Sequence, residues 1–315
     1  MRIENQKGQS TVITLVFLVV LLGMAALVLD VGSWYRAKRS TQSTADAAAL
    51  AGAQSLPDTT TAKTLAQQFA SKNGGLGSGA ITFSTSQSTN DSITVKVSRP
   101  APGFFSKLFG VRSVTTGATA TAKSEVIGQA RYVAPVTVHY KHPLLNCKGS
   151  SMNPTCNPSF GVTTTLDLED LHQAGGGSGS GAFGLINLNY SDPNGNVGAG
   201  TLADWLQYGD DQYLPLGRYY SAPSANFNNS QFLSALNSVL GKEVLFPVYR
   251  LLTGPGANAQ YDIIGWVGFV ITSYNTSGSS GTLTGYFSRY IADGVQAGGG
   301  NPGPDFGAHK VELVN

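Results

Sequence analysis

Charged side chains are scarce in this sequence. Asp, Glu, Lys and Arg make up 12% of its 315 residues, about half the share of an ordinary soluble domain. The net charge is only +2, and no basic run carries interleaved aromatics, which argues against a nucleic-acid groove. Histidine is limited to four positions and cysteine to two. Walker A, H-E-x-x-H, G-x-S-x-G and EF-hand patterns are all missing, which removes the common nucleotide, metalloprotease, esterase and calcium classes. The string GSGAFG at residues 179–184 fits G-x-G-x-x-G formally. It precedes a strand pattern, whereas a dinucleotide site follows a strand and opens a helix. No cofactor is expected.

The two thiols, Cys147 and Cys156, flank a loop rich in Gly, Asn and Pro. On an exported chain such a pair reads first as a disulfide. The rivals are a metal site formed with His139 and His142, whose cysteine spacing is wide for zinc, and unpaired thiols. Asp167, Glu169 and Asp170 form one small acidic group and Asp210 with Asp211 another. Carboxylates at these spacings read as solvated turns rather than acid–base pairs.

What is abundant is glycine, with 39 residues, together with hydroxyl and amide side chains. This composition suits an exported, β-rich body. At the other extreme, residues 8–29 contain no charged side chain at all. As a helix this run would be about 33 Å long, against a hydrocarbon core of ~30 Å. Val12, Leu15, Phe17, Leu18, Val19, Leu22, Leu27 and Leu29 are the expected membrane-anchor side chains. A cleaved signal peptide also starts with basic residues, as Arg2 and Lys7 do here, but its apolar core is shorter. Residues 30–56 then contain no proline and turn Ala-rich, so the helix is expected to continue beyond the bilayer. Arg36, Lys38 and Arg39 follow the span, so a positive-inside count does not fix its direction. Export of the large C-terminal body implies a cytoplasmic N-terminus. Trp34 and Tyr35 are then expected as interfacial anchors.

This segment resembles the N-terminal region of TadE/TadG-like proteins of the tight-adherence (Tad) system, which assembles Flp-type pili. The resemblance rests on Gly8-Gln9-Ser10, the apolar span, Asp30-Val31-Gly32, Trp34-Tyr35, Arg39 and the run QSTADAAALAGA at 42–53. It implies a pilin-like or pseudopilin-like anchor helix, half in the membrane and half carrying an exported domain. Ala45, Ala48, Ala49, Gly52 and Ala53 would then form a small-residue packing face, with a plain exposed Ala-rich helix as the alternative. Related pilins are cut by a prepilin peptidase after a Gly, with Glu five residues beyond. Gly8 is so placed, but Ile13 occupies the Glu position. The D-x-S-x-S metal motif of larger von Willebrand A relatives is missing, so that activity does not carry over. The strings SITVKVSRP, FFSKLFG and SVTTGATATA also look like Tad-associated proteins, extending the resemblance to about residue 125.

Residues 62–73 read as a short helix closed by Gly74-Gly75. Residues 81–86 and 92–98 form a hairpin signal, and 111–123 a third strand. Between them, Phe104, Phe105, Leu108 and Phe109 share one face, expected to bury against the hairpin, with lipid or a partner as the alternative. Further on, strands are expected at 133–140, 161–168, 182–189, 244–252, 263–274 and 282–291, the last two paired across NTSGSSG. Thr201 and Ser230 are expected to cap short helices.

The expected fold class is α+β: a long N-terminal transmembrane, pilin-like helix with a small antiparallel sheet over residues 1–127, then a β-rich exported domain over 128–315. The expected function is a membrane-anchored structural or assembly component of a Tad/Flp-type pilus or secretion system, not an enzyme. Its partners would be membrane lipid, other pilus or secretion-assembly proteins and further copies of itself, with no nucleic acid. It would be a single-pass protein of the cell membrane with an extracytoplasmic body. The alternatives are a tethered binding module for cell wall or carbohydrate using Trp205, Tyr208, Tyr219 and Tyr220, and a tethered hydrolase using His139 or His142.

Overall fold

The computed structural model describes residues 7–86, 88–167, 184–190, 192, 195, 197–222, 228–254, 258–277, 280–292 and 303–314. The architecture is α+β and divides into two compact units, Met1–Ser124 with Val311–Asn315, and Glu125–Lys310.

The first unit opens with α1, Lys7–Ala53, a single helix of 47 residues. No proline interrupts it, and its second half is built from Ala, the strongest helix former. Leu56 and Pro57 follow its end, and Asp58 starts α2, Thr59–Lys72, by accepting the N–H groups of Thr60 and Thr61 at 3.1 and 3.2 Å. That cap lies just upstream of the residues whose periodicity marks the helix. Strands β1, Ile81–Ser84, β2, Ser92–Pro102, and β3, Ser113–Val126, form an antiparallel meander. The β1–β2 turn is organised by Asp91, which accepts N–H groups from Ser86 and Ser88 at 2.8 and 2.9 Å.

The core of this unit is made of small side chains. Ala45, Ala48, Ala49 and Ala53 of α1 meet Ala62, Ala66 and Ala70 of α2, with Ile93, Val95 and Val97 of β2 beneath. An Ala methyl contributes only about 0.8 kcal/mol, so these elements gain from close backbone approach rather than bulk. Gly52 shows the limit. A Cβ there would lie 2.5 Å from Ile93 Cδ1 and 3.0 Å from the Ala62 carbonyl oxygen. Polar groups fix the register around this core. Thr44 Oγ1 donates to the Asn73 carbonyl at 2.8 Å, and Arg99 donates to both Thr44 Oγ1 and the Asn73 carbonyl. Lys38 Nζ reaches the Gly117 carbonyl and Thr41 meets Thr116 hydroxyl to hydroxyl at 3.2 Å.

The second unit is built on a mostly antiparallel sheet. Its strands are β5, Val138–His139, β6, Thr163–Asp167, β8, Gly217–Tyr220, β9, Glu243–Thr253, β10, Gln260–Ser277, and β11, Ser280–Ser288. The order is β5-β9-β10-β11-β6, with β8 also paired to β10. A second small pairing joins β4, Gln129–Ala130, to β7, Leu214–Pro215. Helices α3, Ala199–Tyr208, and α4, Ser230–Val239, pack with one face of the sheet. Phe246, Phe269 and Phe287 run across that face with centroid spacings of 5.4 and 5.2 Å. Tyr219, Tyr249, Tyr261 and Trp266 belong to a second cluster. Strand β12, Tyr290–Ile291, pairs in parallel with the start of β13, Ala308–Val314. From Val311 the chain counts with the first unit, where β13 lies beside β3.

Several local expectations are corrected. α3 is capped at Gly198 rather than Thr201, and α4 at Asn229, whose side chain accepts the Gln231 N–H at 2.9 Å, rather than Ser230. The apolar stretch 133–140 is buried throughout, yet only Val138 and His139 form a strand, in parallel with β9. Val133 makes two isolated bridges, to Asp210 and Leu245, and Val136 one, to Leu185, because Pro135 between them has no N–H to donate. At 184–189 the chain likewise makes isolated bridges, at Leu185 and Ile186, rather than a strand. The GGGSGSG loop and most of the GSGAFG string lie outside the described residues.

Two consequences are measurable on the full chain in detergent or nanodiscs. Gly52→Leu should lower stability by about 1–3 kcal/mol through overpacking, read from urea unfolding. The second concerns His139, buried against the rings of Tyr140 and Tyr249 at 5.0 Å. Burial lowers its pKa from 6.5 to about 4, Lys141 adding repulsion against a partial offset from the Arg250 backbone. The unfolded chain therefore takes up this proton first as pH falls. The contribution of His139 is complete above pH 6.5 and is lost as pH drops toward 4, a change of about 2 kcal/mol once solvent screening is allowed for. His139→Phe should flatten that part of the urea-midpoint profile; an unchanged slope would contradict the assignment.

Candidate functional site

The apolar run of α1 is exposed along its whole length. Leu15, Phe17, Leu22 and Leu27 each leave more than 60% of their surface open, and Leu18 leaves 53%. Burying a Val, Leu or Phe side chain is worth about 1.5–3 kcal/mol. The eight anchor residues together therefore favour leaving water by on the order of 10–20 kcal/mol. That is comparable with the whole stability of a domain. Among the described residues α1 is the one helix long and apolar enough to cross a membrane.

At the end of this run the carboxylate of Asp30 is folded inward, with only 3% of the residue exposed. Its oxygens accept three consecutive backbone N–H groups: Phe104 at 2.7 Å, Phe105 at 3.1 Å and Ser106 at 2.5 Å. These lie at the start of a short 3-10 turn, Ser106–Phe109. Amides at the start of a helical turn lack intrahelical partners, and a carboxylate is a favourable ligand for them. Asp30 thus caps a turn more than seventy residues downstream. Two further bonds close the loop between β2 and β3, Ser106 Oγ to the Val111 carbonyl at 2.8 Å and Gly103 N–H to the Arg112 carbonyl at 3.1 Å.

The loop carries a bare aromatic tip. Phe104, Leu108 and Phe109 are 68%, 82% and 83% exposed, and Phe105 is 41% exposed. This corrects the expectation that they bury against the hairpin. The turn instead lies along α1. A groove of about 610 Å³ separates them, lined by Val20, Met24, Leu27 and Val31 on the helix and by Phe105 and Phe109 on the loop. Trp34 lies beside the base of the loop, 3.4 Å from where a Cβ on Gly103 would sit, while Tyr35 is 63% exposed.

The other sequence-derived candidates are scattered. Cys147 and Cys156 form a disulfide across a two-stranded rung at Lys148 and Thr155, whose backbones exchange both hydrogen bonds at 2.9 Å. Closing so short a loop contributes roughly 2–3 kcal/mol by the chain-entropy estimate. Their sulfurs are thereby withdrawn from the four-ligand metal alternative. Among the described residues no group of three His, Cys, Asp or Glu could hold a metal. His142 accepts the Leu144 N–H at its Nδ1 and meets Thr164 Oγ1 at its Nε2. Neither it nor His139 is joined to a carboxylate among the described contacts. Asp210 accepts the Gln212 N–H at 3.0 Å in a turn, but it is buried, which corrects its expected solvated position; Asp211 beside it is exposed. Glu169, Asp170 and His172 lie outside the described residues. The four aromatics of the carbohydrate alternative do not form a platform. Tyr219 is buried with its hydroxyl donating to the Pro215 carbonyl at 2.6 Å, and Trp205 is half-buried against the core, while Tyr208 is exposed.

Asp30 is the residue sequence reasoning undervalued. It stood only as part of a D-V-G string, and its position at the end of an uncharged run was its one chemical signal. Asp30→Ala should free the 103–112 loop. Backbone amides at 104–106 are expected to exchange about tenfold faster or more, in full-length protein held in nanodiscs, with the amides of Ile93 and Val95 unchanged.

Comparison with known proteins bears on this same region. No characterised protein and no solved structure matches the chain. Residues 8–55 match the family model described as Flp pilus-assembly TadE/G-like, named Tad. That stretch runs through the apolar run, Asp30 and the Ala-faced half of α1. Over residues 8–55 the N-terminal segment of this chain is thus similar to the TadE/G-like Flp pilus-assembly family.

Proposed function

We propose that this protein is a membrane-anchored structural or assembly component, pilin-like or pseudopilin-like, of a Tad/Flp-type pilus or secretion system. The observation that carries the reading is the division of α1. One unbroken helix exposes a long uncharged run, then turns an Ala/Gly face into the core of a folded unit. The match over residues 8–55 supports the pilus system. In this reading the N-terminus is cytoplasmic and both units are extracytoplasmic, where the Cys147–Cys156 disulfide persists. The run stays attached after export, and Gly8 remains uncut because Ile13 stands where the processing Glu is needed. The body acts by binding other assembly proteins, further copies of this chain among the candidates, rather than by catalysis.

The experiment is a charge placed at the centre of the span. Leu18→Lys or Val19→Asp costs about 2.5–3.5 kcal/mol of insertion free energy. Membrane retention and assembly of pili should be lost together. Normal pili from cells in which the variant chain fractionates as soluble would refute the anchor role.

A further inference from the structure

The tip of the 103–112 loop gathers four exposed apolar side chains, Phe104, Phe105, Leu108 and Phe109. Its position along α1 decides which solvent it meets. Phe105 and Phe109 line one groove with Val20, Met24, Leu27 and Val31. The helical rise of 1.5 Å per residue puts Leu27 about 4–5 Å and Val20 about 15 Å short of Asp30 along the helix axis. The side chains of α1 facing this groove belong to the run that needs hydrocarbon. A loop lying alongside them cannot stay in water while they do not. Its most exposed side chains, Leu108 and Phe109, are the ones that would gain most from lipid.

Charge points the same way. Within the 103–112 loop the charged side chains are Lys107 and Arg112, both exposed, with no acidic side chain. Arg36 and Arg39 lie beyond Asp30 on the exposed part of α1. The single carboxylate near the loop, Asp30, is turned inward onto backbone amides. What faces outward around the apolar tip is cationic, as an anionic headgroup layer requires.

We propose that the 103–112 loop is a second membrane-inserting element. Phe104, Leu108 and Phe109 enter the same leaflet as the distal half of the span. An acyl chain fills the groove between loop and helix, and Lys107 and Arg112 meet anionic headgroups. The occupant is lipid, by continuity with the span on one side and by charge on the other. The Asp30 cap holds the loop at this depth, so the first unit is attached to the membrane at two points and cannot swivel freely about α1. This inference rests on the reading of α1 as a membrane anchor.

The test uses full-length chain in vesicles of phosphatidylcholine with phosphatidylglycerol, at high lipid-to-protein ratio and with no other protein. A nitroxide is attached in turn through Phe109→Cys, Leu18→Cys or Ser71→Cys. The native cysteines are engaged with each other and do not take the label, and Phe109 and Ser71 are exposed, so labelling leaves the core intact. Collision with oxygen, which concentrates in hydrocarbon, is compared with collision with a water-soluble nickel chelate. The expected result is that Phe109 and Leu18 favour oxygen while Ser71 favours nickel. Adding Asp30→Ala should return the Phe109 probe toward nickel without moving the Leu18 probe. A Phe109 probe that favours nickel while Leu18 favours oxygen overturns the proposal and leaves the anchor standing. If Leu18 itself favours nickel, the anchor reading fails first. Spin–spin broadening at Phe109 would show that a second copy, not lipid, occupies the groove, which also overturns it.

Discussion

The constraint on which the structure depends is that one helix serves two solvents. From Leu15 to Leu29 the side chains of α1 are apolar, and the second part offers small side chains and a few hydroxyls to a protein core. Neither half would be stable alone in the other's surroundings. Because the helix runs on unbroken through Asp30, Trp34 and Ala37, the apolar run and the helical part of the first unit share one axis. The Ala/Gly face then brings α2 and the meander close to the helix axis. Large side chains there would push the sheet outward and shift the β2–β3 loop away from Asp30.

Asp30 joins the two regimes. A carboxylate at the end of an apolar run looks like a simple marker of the membrane boundary. Here it accepts three backbone N–H groups instead, which converts a long β-hairpin connection into a defined turn. The second unit follows a different logic. Its sheet is filled by Phe246, Phe269 and Phe287 and by a tyrosine cluster, with a short disulfide-closed loop tied down by Arg250. That guanidinium pairs with Asp262 at 2.6 Å and donates to the Met152 carbonyl at 3.1 Å. These contacts tie the disulfide loop to strands β9 and β10 of the sheet. Of this unit's histidines, His139 packs against tyrosine rings, His142 accepts the Leu144 N–H in a turn, and His309 pairs with Asp305 at 2.8 Å.

Much of this could be read from the chain directly. The uncharged run, the Ala-rich continuation, the hairpin around Asp91 and the β10–β11 pair are set by local periodicity and turn chemistry, which a sequence displays. The helix starts near Thr201 and Ser230 were located, but the capping residues proved to be Gly198 and Asn229. Choosing between adjacent caps needs backbone angles. The stretch 133–140 has strand-like composition, yet outside Val138–His139 it makes only isolated bridges to distant segments. The Asp30 cap was hidden for the same reason: its partners are 74–76 residues away, and only the register of α1 on β2 and β3 brings them together. The outward position of Phe109 follows from that cap, so it was hidden too.

The most direct measurement of the central claim is the distance across the boundary between the two solvents. Nitroxides at Leu18→Cys and Ser43→Cys, in full-length protein held in nanodiscs, are separated by twenty-five residues of α1, a rise of about 38 Å in unbroken helix. A narrow distance distribution near that value is the predicted result. A broad or much shorter distribution would show a hinge between membrane and body, and the account of a single continuous helix would be wrong.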